Sequence, residues 1–317
     1  MPNILIAGEL HPSGLEIIKQ NPKYSIDYLK EVSNENFLPY LKNADALIIR
    51  TQTLKKNHIE KAKKLKIVSR HGVGYDNVDY QELKKRNIPL TIVGDVNSTS
   101  VSEHTMMLII SVFKKIILAD FSTRNSLWNY RNNYEPRELY GKNLLIIGFG
   151  RIGKKLGKLA KAFGMNIHVY DPYIENKFDE YEIRYFQNLT TALCNADCIS
   201  LNLPKVDKPI ITKENSQYLK HGVVIINTAR GELIEEKVLQ DGIQKGVISG
   251  VGLDVFDSEP VEKNHFLFKY KQVIFTPHQA GLSQEAAERM SIKSINNILD
   301  YYDGSLDASL IVNGVKI

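Results

Sequence analysis

Four residues in the second half of the chain have side chains suited to proton and anion chemistry, and each follows an apolar run. Arg230 comes after VVIINTA, Asp254 and Glu259 after ISGVGL, and His278 after QVIFTP. A guanidinium can fork onto a carboxylate and polarise the carbonyl beside it. An imidazolium can deliver a proton to that oxygen as hydride reaches the carbon, and a neighbouring carboxylate favours the protonated ring and fixes its orientation. Arg230, Glu259 and His278 would together suit reduction of a 2-oxo acid. A structural ion-pair cluster would use the same residue types.

A second pattern lies upstream. Gly148-Phe149-Gly150-Arg151-Ile152-Gly153 follows the apolar run LLII and opens the helical pattern KKLGKLAKAF. The next apolar run, IHVY, ends at Asp171, about twenty residues on. This is the full context of a dinucleotide fingerprint. Gly148 would permit the tight turn, Gly150 the approach of backbone to a pyrophosphate, and Gly153 close helix–strand packing. The pyrophosphate would meet free N–H groups at the positive end of the helix. Asp171 would accept the adenosine ribose hydroxyls and repel a 2′-phosphate, which favours NAD over NADP.

These residues need strands that end together. Residues 1–97 alternate short apolar runs (NILIAG, SIDYL, ADALIIR, KIVSR, PLTIV) with amphipathic helices at 15–20, 35–41, 55–64 and 80–86. A single long helix is predicted over 97–119, followed by a polar loop at 125–140 that holds Trp128, expected at a domain or subunit contact. A second alternating set follows, with strands NLLIIGFG, NIHVYD, ADCISLNL, GVVIINTA, ISGVGLDV and QVIFTPH and helices at 151–162, 213–219, 233–245 and 284–302. Strand–helix alternation predicts an α/β fold: two doubly wound parallel-sheet domains, with ligands beyond the carboxyl ends of the strands. The final helix is expected to return to the first unit. The domains are therefore 1–97 plus 283–317, discontinuous, and 98–282, with a cleft between them as the expected ligand site.

Composition agrees. The 317 residues suggest about two domains. Hydrophobic residues at 43% and charged residues at 24% exclude a disordered or fibrous chain. No apolar run reaches the ~18–20 residues of a membrane helix, and the first residues lack the pattern of a secretory signal. The two cysteines, Cys194 and Cys198, are read as buried small hydrophobes in a reducing cytoplasm. The net charge of +5 is mild and spread out, which argues against nucleic acid and suits a small anionic substrate. Glu103 and His104, adjacent on the long helix, read as capping and packing. No ligand-spaced cluster suggests a metal, and the chemistry above requires none.

Taken in order, VSRHGVGYDNVD, NSTSVSEHTMMLI, ELYGKNLLIIGFGRIG, VYDPY, INTARGELIEEKVL, GVGLDVFDSEP and TPHQAG resemble the D-isomer-specific 2-hydroxyacid dehydrogenase family over nearly the whole chain. The resemblance implies a flavodoxin-like substrate domain, a Rossmann NAD domain, and hydride transfer between nicotinamide C4 and substrate C2. It implies Arg230 as the substrate-orienting guanidinium, Glu259 as the acidic partner and His278 as proton donor and acceptor. Asp254 would receive the nicotinamide carboxamide. Thr228 and Ala229 would lie along the nicotinamide path, and Asn97 and Val101 near the cofactor. Val73 and Gly74 would hold the substrate carboxylate through backbone N–H groups.

Leu145 stands where many members carry Gly and Asn202 where His is frequent; neither is a catalytic position. Glu259 separates the chain from the formate-oxidising branch, which uses Gln there. Arg50 and Arg70 each end an apolar run, and matching arginines in phosphoglycerate dehydrogenases face the substrate phosphate; a structural role is the alternative. The expected substrates are D-3-phosphoglycerate or glycerate/hydroxypyruvate. The chain is expected to lack the regulatory domain of longer phosphoglycerate dehydrogenases. Members are usually homodimers built through the cofactor domain, here by the long helix and the 125–140 loop. A corepressor-like NAD(H)-sensing binding protein is the alternative function.

Overall fold

The computed structural model describes residues 1–33, 35–174 and 182–317 and divides the chain into two compact units: Met1–Asn97 with Leu282–Ile317, and Ser98–Gly281.

In the first unit, strands β1 (Asn3–Ala7), β2 (Ser25–Leu29), β3 (Ala46–Ile49), β4 (Ile67–Arg70) and β5 (Leu90–Thr91) form a parallel sheet in the order β2-β1-β3-β4-β5. Helices α1 (Pro12–Lys19), α2 (Leu38–Leu41), α3 (Lys56–Lys61) and α4 (Tyr80–Lys85) connect the strands. Apolar residues fill both alternating positions of the strands, so both faces are buried. Leu5, Leu47, Ile49 and Val68 belong to one core, and Ile4, Ile6, Ile48 and Ile67 to the other. The second core is closed by Ile295 and Ile298 of the long C-terminal helix, Gln284–Asp303. Ser283 caps that helix by accepting from the Ala286 N–H, and Gly304, at φ 74°, ends it.

In the second unit, β6 (Asn143–Ile147), β7 (Asn166–Tyr170), β8 (Arg184–Tyr185), β9 (Cys198–Leu201), β10 (Val223–Asn227), β11 (Ile248–Leu253) and β12 (Val273–Phe275) are parallel in the order β12-β11-β10-β9-β6-β7-β8. The described helices are α5 (Ser98–Lys114), α6 (Ile116–Arg124), α7 (Arg151–Ala162), α8 (Leu189–Cys194) and α9 (Glu236–Gln244); the C-terminal helix is α10. The chain runs outward from β6 to β7 and β8, then returns to the other side of β6 as β9. The topological switch therefore lies between the ends of β6 and β9.

Several local expectations change. The helix predicted over 97–119 is two helices, because Lys115 takes a left-handed conformation (φ 53°) while its ammonium donates to the Ser249 carbonyl at 3.1 Å. The helix predicted at 213–219 is a 3-10 turn at Ser216–Tyr218, and β8 and α8 were not foreseen. Cys198 is buried as expected, but Cys194, on the last turn of α8, is exposed. Trp128 is 66% exposed on its own chain, in a 3-10 segment at Trp128–Asn133.

β11 shows how a helix is held against a sheet. Its two glycines alternate on one face, and a Cβ at Gly250 would fall 2.4 Å from Val112 while one at Gly252 would fall 3.2 Å from Leu108. Leu108 and Val112 are one turn apart on α5, so the bare strand lets that helix face lie close.

Candidate active site

The strand ends of the second unit carry the residues singled out for acid–base chemistry. β10, β11 and β12 are neighbours, and Arg230, Glu259 and His278 lie just beyond their carboxyl ends. His278 Nδ1 and Glu259 Oε2 are 2.6 Å apart, a short charge-assisted contact. The other oxygen of Glu259 accepts from the Phe256 N–H at 3.0 Å. Partial burial pushes the Glu259 carboxyl up, but the bonds from His278 and Phe256 and the charge of Arg230 outweigh it, and the group stays ionised below its ordinary value. Arg230 has extended backbone at the entrance to the 3-10 turn Gly231–Leu233. Gly231 lets this segment lie on the Phe256–Asp257 backbone, since a Cβ there would come within 2.1 Å of the Phe256 carbonyl carbon. Asn227 ties the loop from inside, donating to the Arg230 carbonyl and accepting from the Ala229 N–H.

His278 is the strained member. Its φ of 49° is left-handed, a region that costs a non-glycine residue of order 1 kcal/mol or more. Three successive amides satisfy this turn on one residue. His278 N–H donates to the Asp254 carbonyl at 2.8 Å, and the Gln279 and Ala280 N–H groups donate to the two Asp254 carboxylate oxygens at 2.9 Å each. The Thr276 hydroxyl adds a third donor to the carboxylate at 2.5 Å. Asp254 is fully buried, and its carboxyl group is the common acceptor at the centre of these donors.

The fingerprint has the geometry its glycines require. Gly148 is at φ 89°, and a Cβ there would fall 2.7 Å from the Asn202 carbonyl across the switch point. A Cβ at Gly153 would fall 2.4 Å from the Gly148 carbonyl. Gly150, before Arg151 and Ile152 at the start of α7, faces open space: nothing lies within 4 Å of its Cβ position. A backbone open at Gly150 and crowded at the other two glycines fits a dinucleotide pyrophosphate. Asp171 directly follows β7 and accepts from Phe149 N–H at 2.8 Å and Tyr173 N–H at 3.0 Å, so it also shapes the fingerprint turn. Thr228, Ala229 and Val101 are buried, and the Thr228 and Thr105 hydroxyls are 2.8 Å apart.

The remaining residues belong to the first unit. Arg50 follows β3 and Arg70 ends β4, at adjacent strand ends. The Arg50 guanidinium donates to the Glu9 carbonyl and packs against Gly8, which places it at that sheet's own switch point between β1 and β3. The Arg70 guanidinium donates to the His71 carbonyl over Gly72, at φ 149°. His71 opens the loop that carries Val73 and Gly74. It is buried, its Nε2 has no hydrogen-bond partner among the described residues, and burial together with the Arg50 and Arg70 charges pushes it down to about 3. Val73 and Gly74 follow in the same loop, half-buried.

Comparison with known proteins gives concordant likenesses. Residues 106–280 match the D-isomer specific 2-hydroxyacid dehydrogenase, NAD binding domain. A D-3-phosphoglycerate dehydrogenase of Methanocaldococcus jannaschii is 37% identical over 290 residues, which is 90% of this chain and 55% of that protein. The chain thus spans about half the length of that relative. A glyoxylate reductase of Korarchaeum cryptofilum is 30% identical, with 98% of this chain and 96% of the relative covered. A crystal structure of a Pyrococcus horikoshii protein superposes with a TM-score of 0.81 at 30% identity, covering 99% of this chain and 96% of the other.

Proposed function

Because the chain belongs to the D-isomer specific 2-hydroxyacid dehydrogenase family, we propose that it transfers a hydride between nicotinamide C4 and C2 of a small D-2-hydroxy acid or the corresponding 2-oxo acid, using NAD. The 2.6 Å His278–Glu259 pair at strand ends shared with Arg230 carries this reading. When bound, the nicotinamide supplies the hydride in reduction and takes it back in oxidation. Glu259, held ionised, accepts from His278 Nδ1, so Nε2 is the nitrogen that gives a proton to the substrate oxygen in reduction and removes it in oxidation. Arg230 pairs with the substrate carboxylate and polarises the carbonyl. Gly148, Gly150, Arg151, Ile152 and Gly153 would hold the pyrophosphate, Asp171 the ribose, and Thr228, Ala229, Asp254 and Val101 the nicotinamide end. Asp254, fully buried with three protein donors on its carboxylate, would act on the nicotinamide end through the turn it holds.

To the first unit we assign anion recognition: Val73 and Gly74 for the carboxylate, Arg50 and Arg70 for a second anionic group. Two guanidiniums at adjacent strand ends, and the likeness to a phosphoglycerate dehydrogenase, favour a three-carbon phosphohydroxy acid; the glyoxylate reductase likeness favours hydroxypyruvate. We assign the protein to the cytoplasm as a homodimer. The dimer contact would be the surface of α6 and the 125–140 loop, where Ile117, Phe121, Leu127 and Trp128 are exposed.

NADH oxidation with glyoxylate, hydroxypyruvate, pyruvate, 2-oxoglutarate and phosphohydroxypyruvate, with NADPH in parallel, tests the reading. Fastest turnover is expected with NADH and a three-carbon acid. NADH binding without turnover of any acid would overturn it in favour of an NAD(H)-sensing binding protein.

A further inference from the structure

Helix α5 meets both catalytic loops through polar side chains on its first two turns, and the pairing is regular. His104 Nε2 lies 3.0 Å from the Thr276 hydroxyl, and Thr276 is two residues before His278. Thr105 Oγ1 lies 2.8 Å from the Thr228 hydroxyl, and Thr228 is two residues before Arg230. One turn before His104, the Ser100 hydroxyl donates to the Ala280 carbonyl at 2.7 Å. Ser100 and His104 therefore grip the two ends of the turn that holds His278 in its left-handed conformation. The same face continues through Leu108 and Val112, which lie over Gly252 and Gly250 of β11. A helix seated on a bare strand and bonded at both loops can fix the imidazole and the guanidinium relative to one another.

The hydrogen directions support a fixed arrangement. The Thr276 hydroxyl donates to Asp254, so at His104 it accepts, and the imidazole carries its proton on Nε2. Burial holds His104 below its ordinary value against the opposing pull of Asp254, consistent with a neutral ring. The Thr105 hydroxyl donates to the Val101 carbonyl, so Thr228 donates to Thr105. Every oxygen and nitrogen in the two chains of bonds has one direction.

We propose that His104 and Thr105 are positioning residues for hydride transfer, His104 setting the His278 turn through Thr276 and Asp254, and Thr105 setting the Arg230 loop through Thr228. The proposal rests on the roles given above to His278 and Arg230. Since the two braces serve different groups, their loss should leave different kinetic signatures.

Five variants test it in the full chain: His104→Phe, His104→Gln, Thr105→Val, Thr105→Ser and the control His278→Ala. Each is assayed with NADH and the best acid of the panel, with NADH affinity read by fluorescence. His104→Phe should lower kcat by of order 10²-fold with KM and NADH affinity within about threefold of wild type. His104→Gln, which keeps an N–H near the Nε2 position, should recover most of that loss. Thr105→Val should instead raise KM for the acid by about tenfold with a smaller fall in kcat, and Thr105→Ser should reverse it. If His104→Phe does not fold, Thr276→Val reads the same bond from the other side. Purely structural helix packing would lower melting temperature while leaving kcat per NADH-binding site and KM unchanged, and that result overturns the proposal. So does the same signature from both braces, or failure of Gln and Ser to rescue. Near-normal turnover by His278→Ala would overturn the reading of the site itself. An inactive His278→Ala with silent braces would overturn this inference alone.

Discussion

The carboxyl ends of the two sheets are built on opposite electrostatic plans. In the second unit, acid and base are matched inside the protein: Glu259 takes His278, and Asp254 takes two amides and a hydroxyl. In the first unit, Arg50 and Arg70 bring two cations to adjacent strand ends beside His71, whose imidazole is held neutral down to about pH 3, first by burial and then by those two charges. A proton-transfer group must keep its direction through the reaction, so it is anchored by internal bonds. A surface that concentrates positive charge suits a ligand that arrives with negative charge.

The contrast can be broken most severely at Arg230. Arg230→Gln removes the fork that orients the carboxylate, and kcat/KM should fall by of order 10³-fold with NADH affinity retained. A loss below tenfold would make the second unit's cation incidental.

The first unit's cations are tested next. Arg70→Ala should raise KM for phosphohydroxypyruvate by about ten- to a hundredfold, the scale of one hydrogen bond to a charged group, and change glyoxylate kinetics much less. Equal effects on both acids would assign Arg70 to the loop and remove the phosphate from the account.

The smallest effect is on stability. Between pH 6.5 and about 3 the unfolded chain protonates at His71 and the folded unit does not. Stability from this residue is therefore complete above pH 6.5 and falls on acidification. Urea unfolding should show a loss of order 1 kcal/mol between pH 7.5 and 5.5 from this residue, and His71→Phe should flatten that part of the curve. An unchanged slope in the variant would mean that His71 is charged in the folded state.

Much of this arrangement could be read from residue order. A glycine that must turn, one that must stay open and one that must pack have spacing set by backbone geometry, and Gly148, Gly150 and Gly153 show those three conditions. Arg230, Glu259 and His278 stand out in the sequence because each follows an apolar run, Glu259 at a greater remove than the other two. The break at Lys115 was hidden because the apolar period runs on through it, and what stops the helix there is accompanied by a contact to Ser249, far along the chain. The bond of His104 to Thr276 spans 172 positions, and locally the residue is only a polar side chain on an apolar helix. Nothing in HGVGYDN tells whether His71 lines a pocket or lies exposed, and its burial within reach of two arginines' charges shows only in the fold. Exposure of Cys194 likewise depends on how α8 lies on its sheet, which a C-x3-C spacing does not encode.

Single-turnover NADH oxidation by wild type and by His278→Ala, with NADH binding measured on the same samples, addresses the central assignment most directly. The variant should bind NADH normally and transfer hydride about 10² to 10⁴ times more slowly. Hydride transfer at the wild-type rate without the imidazole would contradict it.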